Sequence, residues 1–231
     1  MKRVYREVRV APAGAGWSIL LDARTLQTPA RAPLLLPQQG LAEAIAAEWD
    51  AQTDKVVPVT MPLMQLAATA IDRTAAQRGR TIDEIVGYAG TDLVCYRAER
   101  PPDLVARQSA TWQPLVDWVT LRFDAALLVT TGVVPKAQPS AAIAAIRAAI
   151  EPLDPFWLTA LHNATAACGS AAIGLALVER HLDAEAAWQA SQLDETFQIE
   201  QWGEDYEAVA RRAALKRDVE ATTGFMELLR G

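Results

Sequence analysis

Residues 185–207 read EAAWQASQLDETFQIEQWGEDYE. At about 100° per residue the spacing predicts one helix, with Ala186, Ala190, Leu193 and Phe197 along one side. Trp188, Ile199, Trp202 and Tyr206 fall on the opposite side, and Glu195 sits on the turn between the two tryptophans. A helix apolar on two faces is expected to be sandwiched between other elements. A carboxylate among indoles must be paired, be neutral, or face a partner. Asp194, Glu200, Glu204, Asp205 and Glu207 surround Glu195, so cations within the segment are scarce. Two readings follow: Glu195 pairs with an arginine or reaches solvent, or the acidic, aromatic surface is kept for a partner. Asp183 is the expected N-cap of this helix and Gly203 its break.

Outward from this stretch, the composition bounds the class. The chain has 231 residues, 51% of them hydrophobic, enough for one large domain or two small ones. Its net charge of −6 excludes the basic stripe of a nucleic-acid surface. Two cysteines, Cys95 and Cys168, offer neither a disulfide framework nor a zinc pattern. No run of eighteen apolar residues exists to span a membrane. The opening Met1-Lys2-Arg3-Val4-Tyr5-Arg6 lacks an apolar run, so neither a secretory signal nor a transit peptide is expected there. The expectation is a soluble, cytoplasmic protein.

Along the chain, Val4, Val8 and Val10 alternate with polar residues as a strand, and a turn is expected within residues 11–16. Further strands are expected at 17–21, 26–28, 34–36 and 56–60, kept short by Pro29, Pro33 and Pro37. Leu41, Ala42, Ile45 and Trp49 form the apolar stripe of one helix. From Pro62 the pattern turns helical. Thr81 and Glu84 read as a capping box for a helix reaching Cys95. Pro114 is expected to kink or restart a helix through residues 103–123. Ser140 opens another helix, and Asp154-Pro155 caps the next. Residues 166–177, rich in Ala and Gly, predict a single deeply buried helix that permits close approach. The last helix is expected to end near Gly224. The predicted fold class is α+β: a small β-rich domain with one helix at 1–60, then a larger all-helical domain at 61–231.

Catalytic patterns are scarce. The two histidines, His162 and His181, lie nineteen residues apart, outside any helical zinc pair. His162 is expected to be a hydrogen-bonded core residue, and His181 a partner of a helix C-terminus. Neither cysteine belongs to a CxxC, and both read as small core residues. Gly14 and Gly16 are followed by Ile19 where a dinucleotide fold needs glycine, and no Gly-Lys pair forms a phosphate loop. Ser170 lacks the glycine of a nucleophile elbow. Neither metal nor cofactor is expected. The seven tryptophans (Trp17, Trp49, Trp112, Trp118, Trp157, Trp188 and Trp202) are mostly core fillers, but tryptophan is also a favoured interface anchor. Binding is therefore favoured over catalysis. The rival is a small-molecule enzyme with its site between the two domains, using Asp92, His162 and Glu195.

Five ordered motifs then carry a resemblance across nearly the whole chain: LDARTLQTPARAPLLLP (21–37), AEWDAQ (47–52), TMPLMQLAATAID (60–72), TDLVCYRAERPPDL (91–104) and SQLDETFQIEQWGEDYE (191–207). Together they resemble the assembly chaperones for the α subunit of the ATP synthase soluble head, found in mitochondria and related bacteria. The resemblance implies a small β-rich domain followed by a helical one, and no catalysis. It also implies a chaperone, monomeric and without cofactor, that holds the new α subunit and prevents its aggregation until the β subunit takes over the same surface. It places the family's important acidic residue at Glu195 and its motif tryptophan at Trp49; Trp202, from the acidic, aromatic surface read above, is expected as a second partner contact. Trp49 shares the stripe of Leu41 and Ile45, so its expected role is structural. The expected setting is a bacterial cytoplasm, mitochondrial relatives carrying a transit peptide absent here. One departure is Ala23 where the family has glycine; a positive φ there would strain it.

Overall fold

The computed structural model describes residues 2–132, 134, 136–203 and 206–231, excluding the side chains of Tyr206 and Glu207. These residues form a three-stranded antiparallel sheet and a mostly helical remainder, an α+β fold. The chain divides into two compact units. The first comprises residues 1–78, 154–160 and 221–231, and the second residues 79–153 and 161–220. The units thus divide the chain elsewhere than at residue 60, since two later segments belong with the first.

In the first unit, β1 (Val8–Ala13) pairs with β2 (Gly16–Leu21), and β2 with β3 (Arg24–Thr25). The β1–β2 turn is Gly14-Ala15, with Gly14 at φ +56°. Proline keeps the expected strands at 26–28 and 34–36 to single bridges, Gln27 with Pro33 and Trp17 with Leu36. The β2–β3 turn resolves the Ala23 question: Asp22, not Ala23, takes the left-handed conformation, at φ +55°. Its carboxylate accepts the Glu7 and Arg6 amides at 2.9 and 3.0 Å, which lowers its pKa from the usual carboxylate value.

Helix α1 (Gln39–Asp50) packs on β1 and β2 through the predicted Leu41, Ala42, Ile45 and Trp49. The stretch expected as a strand at 56–60 is instead a 3₁₀ turn, Pro58–Thr60, because Pro58 fixes a helical φ. Pro62 then opens α2 (Pro62–Thr69), followed by a π turn over Ala70–Thr74.

In the second unit, α3 (Arg78–Gly90) begins before Thr81 and ends before a 3₁₀ turn at Leu93–Cys95. Thr81 is therefore inside the helix, and Glu84 turns outward to Arg80 rather than back as a cap. Strand β4 (Tyr96–Arg97) pairs in parallel with β5 (Thr130–Thr131). Helix α4 (Pro102–Phe123) runs unbroken through Pro114. The proline removes one hydrogen bond, at a cost of about 3 kcal/mol. Buried Trp112, Leu115, Val116 and Val119 offset it by packing on either side. Ser140 opens α5 (Ser140–Ile150), as expected.

Asp154 caps α6 (Pro155–Cys168), accepting the Phe156 and Trp157 amides at 2.8 and 3.1 Å. The single helix expected at 166–177 is two, divided at Gly169 with φ +65°. Ser170 then caps α7 (Ala171–Val178), whose residues 171–177 are all buried. A Cβ on Gly174 would lie 2.5 Å from Thr165 Oγ1, so glycine permits the close approach of α7 to α6.

The opening stretch also divides, into α8 (Ala184–Ser191) and α9 (Leu193–Trp202), with Gln192 outside helical geometry at φ −106°, ψ 14°. Asp183 caps α8 through the Ala186 amide at 2.8 Å, and Gly203 ends α9 at φ +85°, both as expected. Helix α10 (Tyr206–Arg230) passes Gly224 without stopping, carrying buried Phe225, Met226 and Leu229.

Candidate partner-binding surface

Helix α9 is anchored by two apolar residues and surrounded by arginines. Leu193 and Phe197, one turn apart, are buried, and Arg107 from α4 lies over the Phe197 ring at 5.3 Å. Asp194 accepts Gln108 Nε2 from α4 at 2.7 Å. Glu200 receives Arg107 Nη1 at 2.6 Å, and Glu195 Oε1 receives Arg211 Nη2 from α10 at 2.9 Å. Arg212 donates to Thr196 Oγ1 at 3.1 Å and covers the Trp188 ring. The segment supplies no cation of its own, and its acids are answered from neighbouring helices, Glu195 by an arginine as in the first of its two readings. The Glu195 pair remains wet: its arginine side chain is 66% exposed and Glu195 29%. Such pairs contribute about 0–1 kcal/mol.

Trp202, the last residue of α9, is 79% exposed. The predicted common face of Trp188 and Trp202 does not form, because the break at Gln192 shifts the helical phase and buries Trp188 at 8% exposure. Glu204, Asp205 and the Tyr206 and Glu207 side chains lie outside the described residues. What α9 presents is an exposed indole at its C-terminal end and, on the same helix, carboxylates paired with solvent-exposed arginines.

Trp49 occupies a different setting, in the first unit. It is buried, edge-on to Tyr5 at 5.8 Å, and its carbonyl accepts the Tyr5 hydroxyl at 2.7 Å. Its motif neighbours hold the adjoining chain. Glu48 accepts the Leu63 and Met64 amides, both at 2.8 Å, capping α2 from another helix. Burial nevertheless raises the Glu48 pKa. Gln52 binds the Glu48 carbonyl, the Thr60 hydroxyl and the Val57 amide. Asp72 similarly clamps the 28–32 turn through the Thr28 hydroxyl and the Ala30 amide. Sequence reasoning missed both acids, because their partners lie 15 or more residues away and follow no local pattern.

The three residues of the rival catalytic reading each have their own partners. Asp92 is buried and accepts Ser170 Oγ at 2.5 Å, the Ala172 amide at 3.0 Å and the Val94 amide at 3.2 Å. Burial raises its pKa to about 6. His162 is one-third exposed rather than core, with Nε2 at 3.0 Å from Glu84. Glu195 pairs with Arg211. His181 stacks on Trp118 at 4.5 Å, and its backbone amide donates to the Ala176 carbonyl at 2.8 Å, at the C-terminal end of α7. Cys95 and Cys168 are free and buried, and burial pushes both thiols up to about 12. Among the described residues, no cluster of His, Cys, Asp or Glu could hold a metal ion, and no helix is long and apolar enough to cross a membrane.

A family model described as ATP12 chaperone protein matches residues 2–120. The fold superposes on Atp12 from Paracoccus denitrificans with a TM-score of 0.94 and 40% identity, over 99% of this chain and 98% of that one. The Atu1473 protein of Agrobacterium tumefaciens gives a TM-score of 0.94 and 42% identity, over 99% of this chain and 86% of that one. The mitochondrial protein atp12 of Schizosaccharomyces pombe is 23% identical over 197 residues, 80% of this chain and 68% of that protein.

Proposed function

The chain belongs to the ATP12 chaperone protein family, and on that premise we propose that it assists ATP synthase assembly by holding the newly made α subunit until the β subunit replaces it. It is a chaperone, not an enzyme. The observation that carries the reading is α9: an indole 79% exposed at its end, on the same helix as carboxylates whose partners are solvent-exposed arginines. An exposed tryptophan anchors an interface by desolvation, and a carboxylate held only by a wet ion pair transfers to a partner's arginine or amide at little cost. Glu195 and Trp202 are the proposed partner contacts, and Trp49 supports the fold. The protein acts as a monomer in the bacterial cytoplasm, shielding an apolar, partly basic face of the α subunit from aggregation. Release needs no nucleotide, because the β subunit competes with a larger and more complementary interface.

The test is co-expression of a tagged chain with the host's α and β subunits, followed by pull-down. Recovery of α without β, lost when β is in excess, is the expected result. A folded chain that retains no α subunit overturns the reading.

A further inference from the structure

Along α9, Asp194, Phe197 and Glu200 recur every three residues, and all three meet α4. The contacts differ in kind. Arg107 reaches Phe197 and Glu200 from the surface, and its pair with Glu200 leaves both side chains nearly half exposed. Asp194 instead accepts Nε2 of Gln108, a residue 1% exposed, at 2.7 Å. That glutamine is held from two sides: its Oε1 receives the Ala98 amide at 2.7 Å, and its carbonyl receives Arg97 Nη1 at 2.6 Å. The Ala98 bond fixes which end of the side-chain amide carries oxygen, so a donor must point at Asp194. A buried donor left without an acceptor is costly, whereas an exposed ion pair slips at little cost. The charge of Asp194 is also used within the chain. Burial lowers the pKa of Arg97, and the Asp194 carboxylate opposes that shift. Glu195, the next residue, lies about 100° further around the helix and turns to Arg211 on α10.

We propose that Asp194 is the positioning residue of the client site: through Gln108 it fixes the rotation of α9 about its own axis, so that Glu195 faces outward. Asp194 itself does not touch the client. This rests on the reading of Glu195 as a client contact. Buried Leu193 and Phe197 hold α9 against the second unit, but burial of apolar surface is non-directional and tolerates a range of rotation. The hydrogen bond to Gln108 is directional and sets the angle. Turning α9 so that Glu195 took the place of Asp194 would bury the client's carboxylate against α4. Gln108 Nε2 asks only for an acceptor, charged or neutral. The positioning role therefore needs an oxygen at residue 194, not a negative charge. A contact with a client's arginine, as read for Glu195, needs the charge.

The test is pull-down of the α subunit by the full chain, with bound α scored per folded chain. Asp194→Asn keeps the oxygen and removes the charge, and should retain α within about twofold of the parent. Asp194→Leu removes the oxygen and should lose about tenfold, the equivalent of one buried hydrogen bond. In a Glu195→Gln background Asp194→Leu should cost nothing more, because both act through the same carboxylate. Should Asp194→Leu fail to fold, Gln108→Glu is the second route. It keeps an acceptor for Ala98 and sets a carboxylate against Asp194, so retention falls; adding Asp194→Asn restores the bond and the retention. Equal losses in Asp194→Asn and Asp194→Leu overturn the proposal, since the charge then meets the client. So does a further loss in the Glu195→Gln background, a folded Asp194→Leu chain that retains α fully, or a Gln108→Glu loss that Asp194→Asn does not repair. A Glu195→Gln chain that still retains α strikes the underlying reading of α9, and the positioning role falls with it.

Discussion

Glu48 and Glu195 are both acids beside a helical surface, and the structure uses them in opposite ways. Glu48 is drawn into the first unit, where it caps α2 by accepting two backbone amides. Glu195 stays at the rim of the second unit, tied to one exposed arginine. The first has satisfied the only groups that need it, so removing it leaves orphaned amides. The second satisfies a group that water would serve almost as well. The surroundings match: the first unit holds 10 basic and 9 acidic residues, the second 12 and 19. A carboxylate buried by its neighbours is structural; one held loosely on an acidic helix is available to a partner.

The buried side of this comparison breaks most visibly at Trp49. Truncation to Ala removes a buried indole and its edge contact with Tyr5, and should lower unfolding stability by about 3–5 kcal/mol. Urea denaturation measures this, and a loss below about 1 kcal/mol would remove Trp49 from the core of the argument.

Asp92 tests the same side through pH. Its pKa is raised from 3.8 to about 6, so the folded chain holds this proton more firmly than the unfolded chain. The associated stability is fully present below the unfolded pKa and is lost as pH rises through about 6. At 1.36 kcal/mol per unit this amounts to roughly 3 kcal/mol between pH 3 and 7. Asp92→Asn should remove that slope, so unfolding of the two chains across this range reads it directly. A difference that stays constant with pH would mean Asp92 titrates as an ordinary carboxyl.

Glu48→Gln sharpens the contrast at smaller scale. One amide keeps an acceptor, the other faces an NH₂ group, and stability should fall by about 1–2 kcal/mol. Because α2 loses its cap, hydrogen exchange should quicken first at Leu63 and Met64.

How much of this was readable from sequence follows the range of each interaction. The stripe of α1, Pro62 at the start of α2, and the caps Asp154 and Asp183 were legible because each signal lies within one turn of its effect. Gly169 carried a signal that the Ala-rich run masked. Gln192 carried none, and its break moved Trp188 away from Trp202. Pro114 announced a kink or a restart, and the helix continues through it, with Trp112 and Leu115 buried on either side. At the candidate site, the acidity was legible in composition, but the exposure of Trp202 was not, since a helix apolar on two faces reads as sandwiched. The arginines that answer Glu195 and Glu200 were not, since Arg211 and Arg107 reach them only through the placement of α10 and α4. The caps made by Glu48, Asp72 and Asp92 were invisible for the same reason: donor and acceptor meet only after folding.

The smallest stability effect belongs to the Glu195 pair, and it is the most discriminating for function. Glu195→Gln and Arg211→Gln each break one exposed ion pair and should change unfolding stability by less than about 0.5 kcal/mol. Their effects on retention of the α subunit should diverge. Glu195→Gln removes the carboxylate offered to the client, so pull-down of α falls. Arg211→Gln removes only the competitor for that carboxylate, so α is retained as well as before or better. Equal losses in both variants would mean that the ion pair itself, not the freed carboxylate, shapes the surface. A large stability loss in either would move Glu195 to the structural side, alongside Glu48.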